Sequence, residues 1–388
     1  MRSKNWLLAI GSSAVLALGV AACGDEESDA SGSTGNGGEE VALSGEIAGA
    51  GASSQEAAKE AWMAGFQDQH PDVTVSYDPV GSGGGREQFI AGGTQFGGTD
   101  APLEGKELGD AADRCAPGEL IQIPVYISPI AVVYNLPEVE QLQLSPETLA
   151  GIFNQDITNW NDPAIAEDNP DVELPDLRIT PVNRSDESGT TENFADYLSK
   201  AAPDIWTHEV DGNWPVKGGE AAQGTSGVIE AVTAGEGAIG YADASQAGDL
   251  GVATVKVGDE YVGPTPEAAA AILDNSEDTA PEEAIFAYEL DRETDASGTY
   301  PIVLVSYEMA CTAYESREQA DLVREFLSYV ISPEGQDAAA QNAGSAPISD
   351  SLREQIQPVV DAIGGGSPVA GRQGRSPVPS RQSPGRQV

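Results

Sequence analysis

Along the span 41–361 the apolar positions switch period repeatedly. Residues 73–77, Val-Thr-Val-Ser-Tyr, alternate apolar and polar, which predicts a half-buried strand. A longer β-rich stretch covers 121–136 and is interrupted by Pro124 and Pro129. Shorter apolar runs at 177–182, 237–241, 252–257 and 301–305 are further strand candidates. Between them the apolar residues recur every three to four positions. This predicts helices over 55–69, 86–91, 146–153, 191–201, 226–234, 266–273 and 317–330. Strands alternating with helices argue for an α/β architecture with mostly parallel sheets. The sequence shows no internal repeat. From 364 it turns to Gly, Pro, Ser, Gln and Arg with almost nothing to bury, so 362–388 is expected to be a disordered tail.

The first 23 residues have a separate logic. Arg2 and Lys4 precede two apolar runs, 6–10 and 14–18, too short together for a comfortable membrane span; this is the layout of a secretory signal. It ends in Val20-Ala21-Ala22-Cys23, which resembles the bacterial lipobox and implies cleavage before Cys23 and lipidation of its thiol. Residues 24–40, rich in Gly, Ser and acid, then form a flexible tether. The expected location is the extracytoplasmic face of a bacterial cell membrane, with the body held there by its lipid anchor.

Charge narrows the functions. The 388 residues carry a formal net charge of -44, from 63 acidic and 19 basic residues. Every acid lies in 24–361 with only 13 of the bases, so that span carries -50. A body this acidic is no general nucleic-acid binder, because phosphate backbones require basic patches. With two His and three Cys, a tetrahedral zinc site is not expected, and the acids form no calcium loop, so neither metal nor cofactor is expected. Cys115 and Cys311 remain after Cys23. In an exported chain such a pair reads as a disulfide, with two unpaired buried thiols as the alternative.

The candidate chemistry sits in four turns: Gly49-Ala50-Gly51-Ala52-Ser53-Ser54, Gly81-Ser82-Gly83-Gly84-Gly85, Phe96-Gly97-Gly98-Thr99-Asp100 and Arg184-Ser185-Asp186-Glu187-Ser188-Gly189-Thr190. Three of them lead from a strand into a helix. There, free N–H groups and the positive end of the helix dipole favour an anion, Ser and Thr add hydroxyls, and Gly allows close approach. Ser53 with Glu56 also fits a capping box. Arg184 suits a tetrahedral oxyanion because its guanidinium binds bidentately. The second turn lacks the Gly-Lys-Ser/Thr ending of a phosphate loop and a dinucleotide pattern. A serine hydrolase is disfavoured: Asp186-Glu187-Ser188-Gly189-Thr190 is not Gly-x-Ser-x-Gly, and the histidines are His70 and His208 only.

Taken in order and spacing, these four segments resemble those of the phosphate-binding lipoprotein of bacterial phosphate ABC transporters. Trp214-Pro215-Val216-Lys217-Gly218-Gly219, Gly237-Ala238-Ile239-Gly240-Tyr241 and Ser332-Pro333-Glu334-Gly335-Gln336 extend the resemblance over roughly 41–350. It implies a periplasmic-binding-protein-like fold of two α/β lobes joined by a two-strand hinge around a central ligand cleft. Lobe one would be 41–127 plus 300–361 and lobe two 128–299, which places Cys115 and Cys311 in the same lobe. Ser53, Ser54, Ser82, Arg184, Ser188, Gly189 and Thr190 would donate to phosphate. For Ser54, which stands where the family often has an aromatic residue or Leu, only the N–H carries over safely. Asp100 would accept from the protonated oxygen, and Asp186 would hold Arg184. The implied protein is a monomer and not an enzyme, with inorganic phosphate and the permease subunits as partners. A binder of another tetrahedral oxyanion, sulfate or molybdate, is the alternative; a secreted hydrolase is more remote.

Overall fold

The computed structural model describes residues 43–365. The signal segment, Cys23 and the tether therefore lie outside the described residues, as does the chain beyond 365.

Three strands open the fold: β1 (Gly45–Gly51), β2 (Val73–Asp78) and β3 (Phe96–Thr99), parallel and in the order β2-β1-β3. Each leads towards a helix: α1 (Glu56–Gln69) after a 3₁₀ turn at Ser53–Gln55, α2 (Ser82–Ile90), and α3 (Gly105–Cys115). The next strand, β4 (Leu120–Tyr134), has 15 residues and is buried throughout. Past β5 (Gln143–Leu144), α4 (Pro146–Phe153) and α5 (Pro163–Asp168), a second parallel group forms. It consists of β6 (Thr180–Arg184), β7 (Glu220–Ala222) and β8 (Ala238–Asp243), in the order β8-β6-β7. Helix α6 (Gly189–Ala201) follows β6, and α7 (Gly224–Ala234) follows β7. Then come β9 (Gly251–Val252), β10 (Thr254–Val257), β11 (Glu260–Val262), α8 (Pro266–Ala270), β12 (Glu277–Asp278) and β13 (Tyr288–Glu289). The chain finishes with β14 (Val303–Cys311), α9 (Arg317–Ile331), α10 (Pro333–Ala343) and α11 (Asp350–Asp361).

One sheet runs β2-β1-β3-β14-β4-β8-β6-β7. It is parallel at both ends but antiparallel through β14 and β4, so the expectation of mostly parallel sheets holds for each end and not for the middle. The long β4 joins the ends: Leu120 to Pro129 pair with β14, and Ile130 to Tyr134 pair with β8. Its prolines do not break it. Pro124 lies at a register shift, and Pro129 is the last residue paired with β14, so both missing N–H groups fall where the ladder is irregular.

Other boundaries move for identifiable reasons. The 252–257 run divides: β9 stays on β4, while β10 joins β5 and β11 in a smaller sheet. β14 continues to Cys311 because Glu308, which interrupts the apolar run, is buried against the Lys59 ammonium under the rings of Trp62, Tyr77, Phe96 and Phe326. α2 starts at Ser82 rather than 86 and takes in three glycines. A Cβ on Gly85 would stand 2.3 Å from Gly51 Cα, and one on Gly83 2.6 Å from the Glu187 side chain. Close packing on both sides outweighs the poor helix propensity of Gly. The sequence pattern gave no helix for α3, α10 or α11. The folded chain also runs past the expected tail boundary at 362: Ile363 is fully buried, and Gly364 N–H donates to the Thr312 carbonyl. Cys115, at the end of α3, is bonded to Cys311, at the end of β14, with a Cα–Cα distance of 5.2 Å. Trp62 fixes α1 against α10: its ring is buried and its Nε1–H donates to the Gly335 carbonyl at 2.8 Å.

Candidate functional site

The four turns meet where the two parallel groups face each other. Ser53 and Ser54 form the 3₁₀ turn after β1, Ser82 opens α2, Asp100 follows β3, Arg184 ends β6, and Ser188 caps α6 ahead of Gly189 and Thr190. Ser53, Ser54, Ser82, Asp100, Arg184, Ser188, Gly189 and Thr190 are all buried. Three of these turns open a helical segment, and helix N-termini are a ready arrangement for an anion.

Asp100 is the most heavily bonded member. Ser54 Oγ lies 2.8 and 2.7 Å from the two carboxylate oxygens and has one proton to share between them; Ser306 Oγ donates at 2.8 Å and Thr190 Oγ1 at 3.2 Å. Its N–H donates to Ser82 Oγ at 3.2 Å, and its carbonyl accepts from Asn193 Nδ2 at 2.8 Å. Burial pushes the Asp100 carboxyl up from the usual carboxylate range, while the three hydroxyls and the Arg184 charge pull it back. A carboxylate has about four acceptor positions, so three hydroxyls leave room for one more donor.

Arg184 is locked from one side. Its Nε–H donates to Asp186 Oδ1 at 2.9 Å, and Nη2 bonds to Asp186 Oδ2. Asp186 also accepts from Gly224 N–H at 3.0 Å. Burial alone would raise the Asp186 carboxyl, but the hydrogen bond and charge of Arg184 and the Gly224 N–H outweigh it and hold the group below its ordinary value. Arg184 N–H reaches Tyr241 Oη at 3.3 Å, and that hydroxyl shares a proton with Thr191 Oγ1 at 2.7 Å. The Tyr241 ring stacks on Phe194 of α6 with centroids 4.5 Å apart. The aromatic pair on β8 and α6 thus fixes the Arg184 backbone at the end of β6.

Contacts also run directly across the site. Ser53 Oγ lies 3.0 Å from Thr225 Oγ1 and accepts from Thr225 N–H at 3.1 Å. Gln246 Nε2 donates to the Ser53 carbonyl at 3.2 Å, and Gly83 N–H to the Glu187 carbonyl at 3.2 Å. Arg86 pairs with Glu187 at 2.5 Å. At Gly189 any Cβ would stand 2.7 Å from Asp100 Cβ and 2.8 Å from Ser82 Oγ, so only glycine permits this approach.

All of the expected ligand residues and Asp186 are thus brought together. Their roles differ in detail. Ser53 forms no capping box, since its hydroxyl faces Thr225. The hydroxyls of Ser54 and Thr190 are committed to Asp100, leaving their N–H groups for a ligand. Ser188 Oγ accepts from Thr191 N–H as the cap, and its O–H is still a donor. Sequence reasoning missed Thr225, Ser306 and Asn193. Only Thr225 carried a signal, in Gly224-Thr225-Ser226-Gly227, a fifth Gly/Ser turn before a helix. A 430 Å³ cavity lies beside Asp100, lined by the acids Glu104, Glu192, Asp196 and Glu289 together with Lys200 and Arg292. Burial raises Glu192 to about 7. Among the described residues, no group of His, Cys, Asp and Glu could hold a metal ion.

Residues 29–334 match the PBP superfamily domain. The chain is 34% identical to phosphate-binding protein PstS 3 of Mycobacterium leprae over 375 residues, covering 94% of this chain and 100% of the relative. The chain belongs to the PstS family of phosphate-binding proteins. PstS of Pasteurella multocida is 31% identical over 318 residues, 80% of this chain and 88% of that protein. Among solved structures, a high-affinity periplasmic phosphate-binding protein bound with phosphate (PfluDING) superposes with a TM-score of 0.65 at 23% identity, covering 81% of this chain and 93% of that one. The phosphate-binding protein of Stenotrophomonas maltophilia gives a TM-score of 0.62 at 19% identity, covering 81% and 93%. The fold is the α/β, two-lobed architecture of these PstS-like proteins, as the sequence led us to expect.

Proposed function

We propose that this PstS-family protein binds inorganic phosphate among the four turns and delivers it to the permease of an ABC transporter, without catalysing a reaction. The observation that carries the reading is a single buried site holding both Arg184, clamped by Asp186, and Asp100, saturated by hydroxyls except for one acceptor position. Ser53, Ser54, Ser82, Ser188, Gly189 and Thr190 supply the N–H and hydroxyl donors around them.

Affinity is within reach despite the acidic body. The Debye length is about 8 Å at physiological salt, so distant carboxylates are largely screened. Charge-assisted hydrogen bonds contribute roughly 1.5–3 kcal/mol each, and micromolar binding needs about 8 kcal/mol. Asp100 selects among oxyanions. Phosphate near neutral pH brings a P–O–H that an ionised carboxylate can accept; sulfate brings only lone pairs and meets a desolvated like charge.

The handover of β4 from β14 to β8 at Pro129/Ile130 supports a lobe boundary near 127/128, with lobe one as 41–127 plus 300–361 and lobe two as 128–299. The contacts of Ser53 with Thr225 and of Arg86 with Glu187 then join the lobes, as a ligand-closed form requires. The signal segment and Cys23 support export and a lipid anchor on the outer face of the cell membrane, where the Cys115–Cys311 bond would persist. We read the protein as a monomer. Competition titrations of phosphate against sulfate on the parent and on Asp100→Asn test the site. The amide can turn a donor towards sulfate, so the variant should narrow the gap. Equal ratios in the two proteins would remove Asp100 from selection.

A further inference from the structure

A second carboxyl lies behind Asp100, outside the set that faces the anion. Asp243 ends β8 opposite Ile130, where β4 passes from one half of the sheet to the other, and it is fully buried. Its Oδ1 accepts from Ser245 N–H at 3.0 Å and Ser245 Oγ at 2.5 Å, capping the 3₁₀ turn Ala244–Gln246. Its Oδ2 completes no hydrogen bond. The same holds for the Tyr126 and Ser128 hydroxyls, although Ser128 lies close to Asp243 and Tyr126 feels both Asp243 and Asp100. Tyr126 and Ser128 are two apart on β4 and share a face. Opposite Tyr126 in the ladder stands Ser306, whose hydroxyl goes to Asp100. One buried polar seam therefore runs from Asp100 through Ser306 to Tyr126, Ser128 and Asp243.

An ionised Asp243 would set a second negative charge behind Asp100 in a dry interior, which is costly. A proton on Oδ2 converts that oxygen into a donor for the hydroxyls beside it. We propose that Asp243 is a positioning residue of the anion site, taking up a proton when the anion binds so that Asp100 remains ionised to receive the ligand's hydrogen. The inference rests on the phosphate reading above. Burial pushes the Asp243 carboxyl up to about 6, against Ser128 and Ser245, and Asp100 adds to the rise. The titratable groups facing Asp243 are Asp100 from beyond β3 and Tyr126 from β4, and Arg184 bears on Asp100 in turn. Helices α7 and α10 also pack on the Ala244–Gln246 turn, and their Glu230, Glu334 and Asp337 are exposed to solvent.

The sign follows from linkage. A bound anion adds negative charge beside the seam and raises Asp243 further. Above about pH 6, binding therefore takes up a proton, and affinity falls as pH rises by up to about tenfold per unit; well below that, Asp243 is already neutral and adds no slope. Asp243→Asn keeps an acceptor for Ser245 and places an amide donor where the proton stood. The parent and this variant are titrated with inorganic phosphate from about pH 5.5 to 8. Phosphate's own ionisation is common to both and cancels in the ratio of affinities. The expected ratio is within about twofold at the acid end, rising to at least about tenfold in favour of the variant near pH 7.5. A ratio constant with pH overturns the inference, since a turn-capping role alone gives no pH slope. Failure of the phosphate reading would look different: the parent would bind no phosphate at any pH. Should Asp243→Asn not fold, Tyr126→Phe replaces it. Removing that hydroxyl from between the carboxyls should steepen the parent's fall with pH, and a coincident profile would overturn the inference.

Discussion

Arg184→Ala removes the one guanidinium clamped within the anion site. Arginine offers five N–H donors, and two of Arg184's are held by Asp186, leaving three. A tetrahedral anion can take two of these at once, and charge-assisted bonds contribute roughly 1.5–3 kcal/mol each. The gross interaction is then about 3–6 kcal/mol, and part of it is offset by desolvating the guanidinium. We expect a loss of at least about 2 kcal/mol, or about 30-fold in Kd. Calorimetric titration with phosphate measures it, and thermal melting checks the fold. The melts carry their own signature. Arg184 holds the Asp186 carboxyl below its ordinary value, so the pair contributes stability at neutral pH and loses it as pH falls through the folded value, below about pH 4. The variant should lack that acid-side loss. A variant that binds phosphate within about twofold of the parent would refute the assignment of the site.

Three further outcomes are expected. Gly189→Ala places a methyl 2.7 Å from Asp100 Cβ and should weaken phosphate binding at least about tenfold with a nearly unchanged melting temperature; unchanged affinity would show that the approach across the site is not required. Lys59→Met strands Glu308 without its cation in a fully buried place and should cost about 3–5 kcal/mol in urea unfolding, largely recovered by adding Glu308→Gln; a cost below about 1 kcal/mol would contradict this. Because the span 24–361 carries -50, stopped-flow association of phosphate should speed up as salt rises from low ionic strength, and rates that fall with salt would contradict a repulsive field.

The four turns were legible because their chemistry is local: Gly and Ser between a strand and a helix are contiguous in sequence. Thr225 belongs to the same pattern but stands just ahead of the predicted helix at 226–234; the structure starts that helix at Gly224 and so places Thr225 at its N-terminus. Ser306 could not be read at all. It lies inside an apolar strand, and its partner Asp100 is 206 positions away. A longer separation, 249 positions, hid the partner of Glu308, whose charge interrupts the apolar run until its pairing with Lys59 explains it. The parallel ends of the sheet follow from strand–helix alternation, whereas the antiparallel middle depends on the late return of β14, which local periodicity does not encode. α2 was predicted late because three glycines argue against a helix, and for two of them the reason is tertiary: Glu187 presses on Gly83 and Gly51 on Gly85.

The central claim is that a buried Asp100 with one open acceptor position and an Arg184 clamped by Asp186 together read a protonated tetrahedral anion. Paired calorimetric titrations of the delipidated, unsubstituted protein with phosphate and with sulfate near neutral pH test it most directly. The account predicts micromolar or tighter binding of phosphate, and sulfate weaker by at least about 10³-fold, on the order of 4 kcal/mol. Sulfate bound as tightly as phosphate, or no binding of phosphate at all, would contradict it.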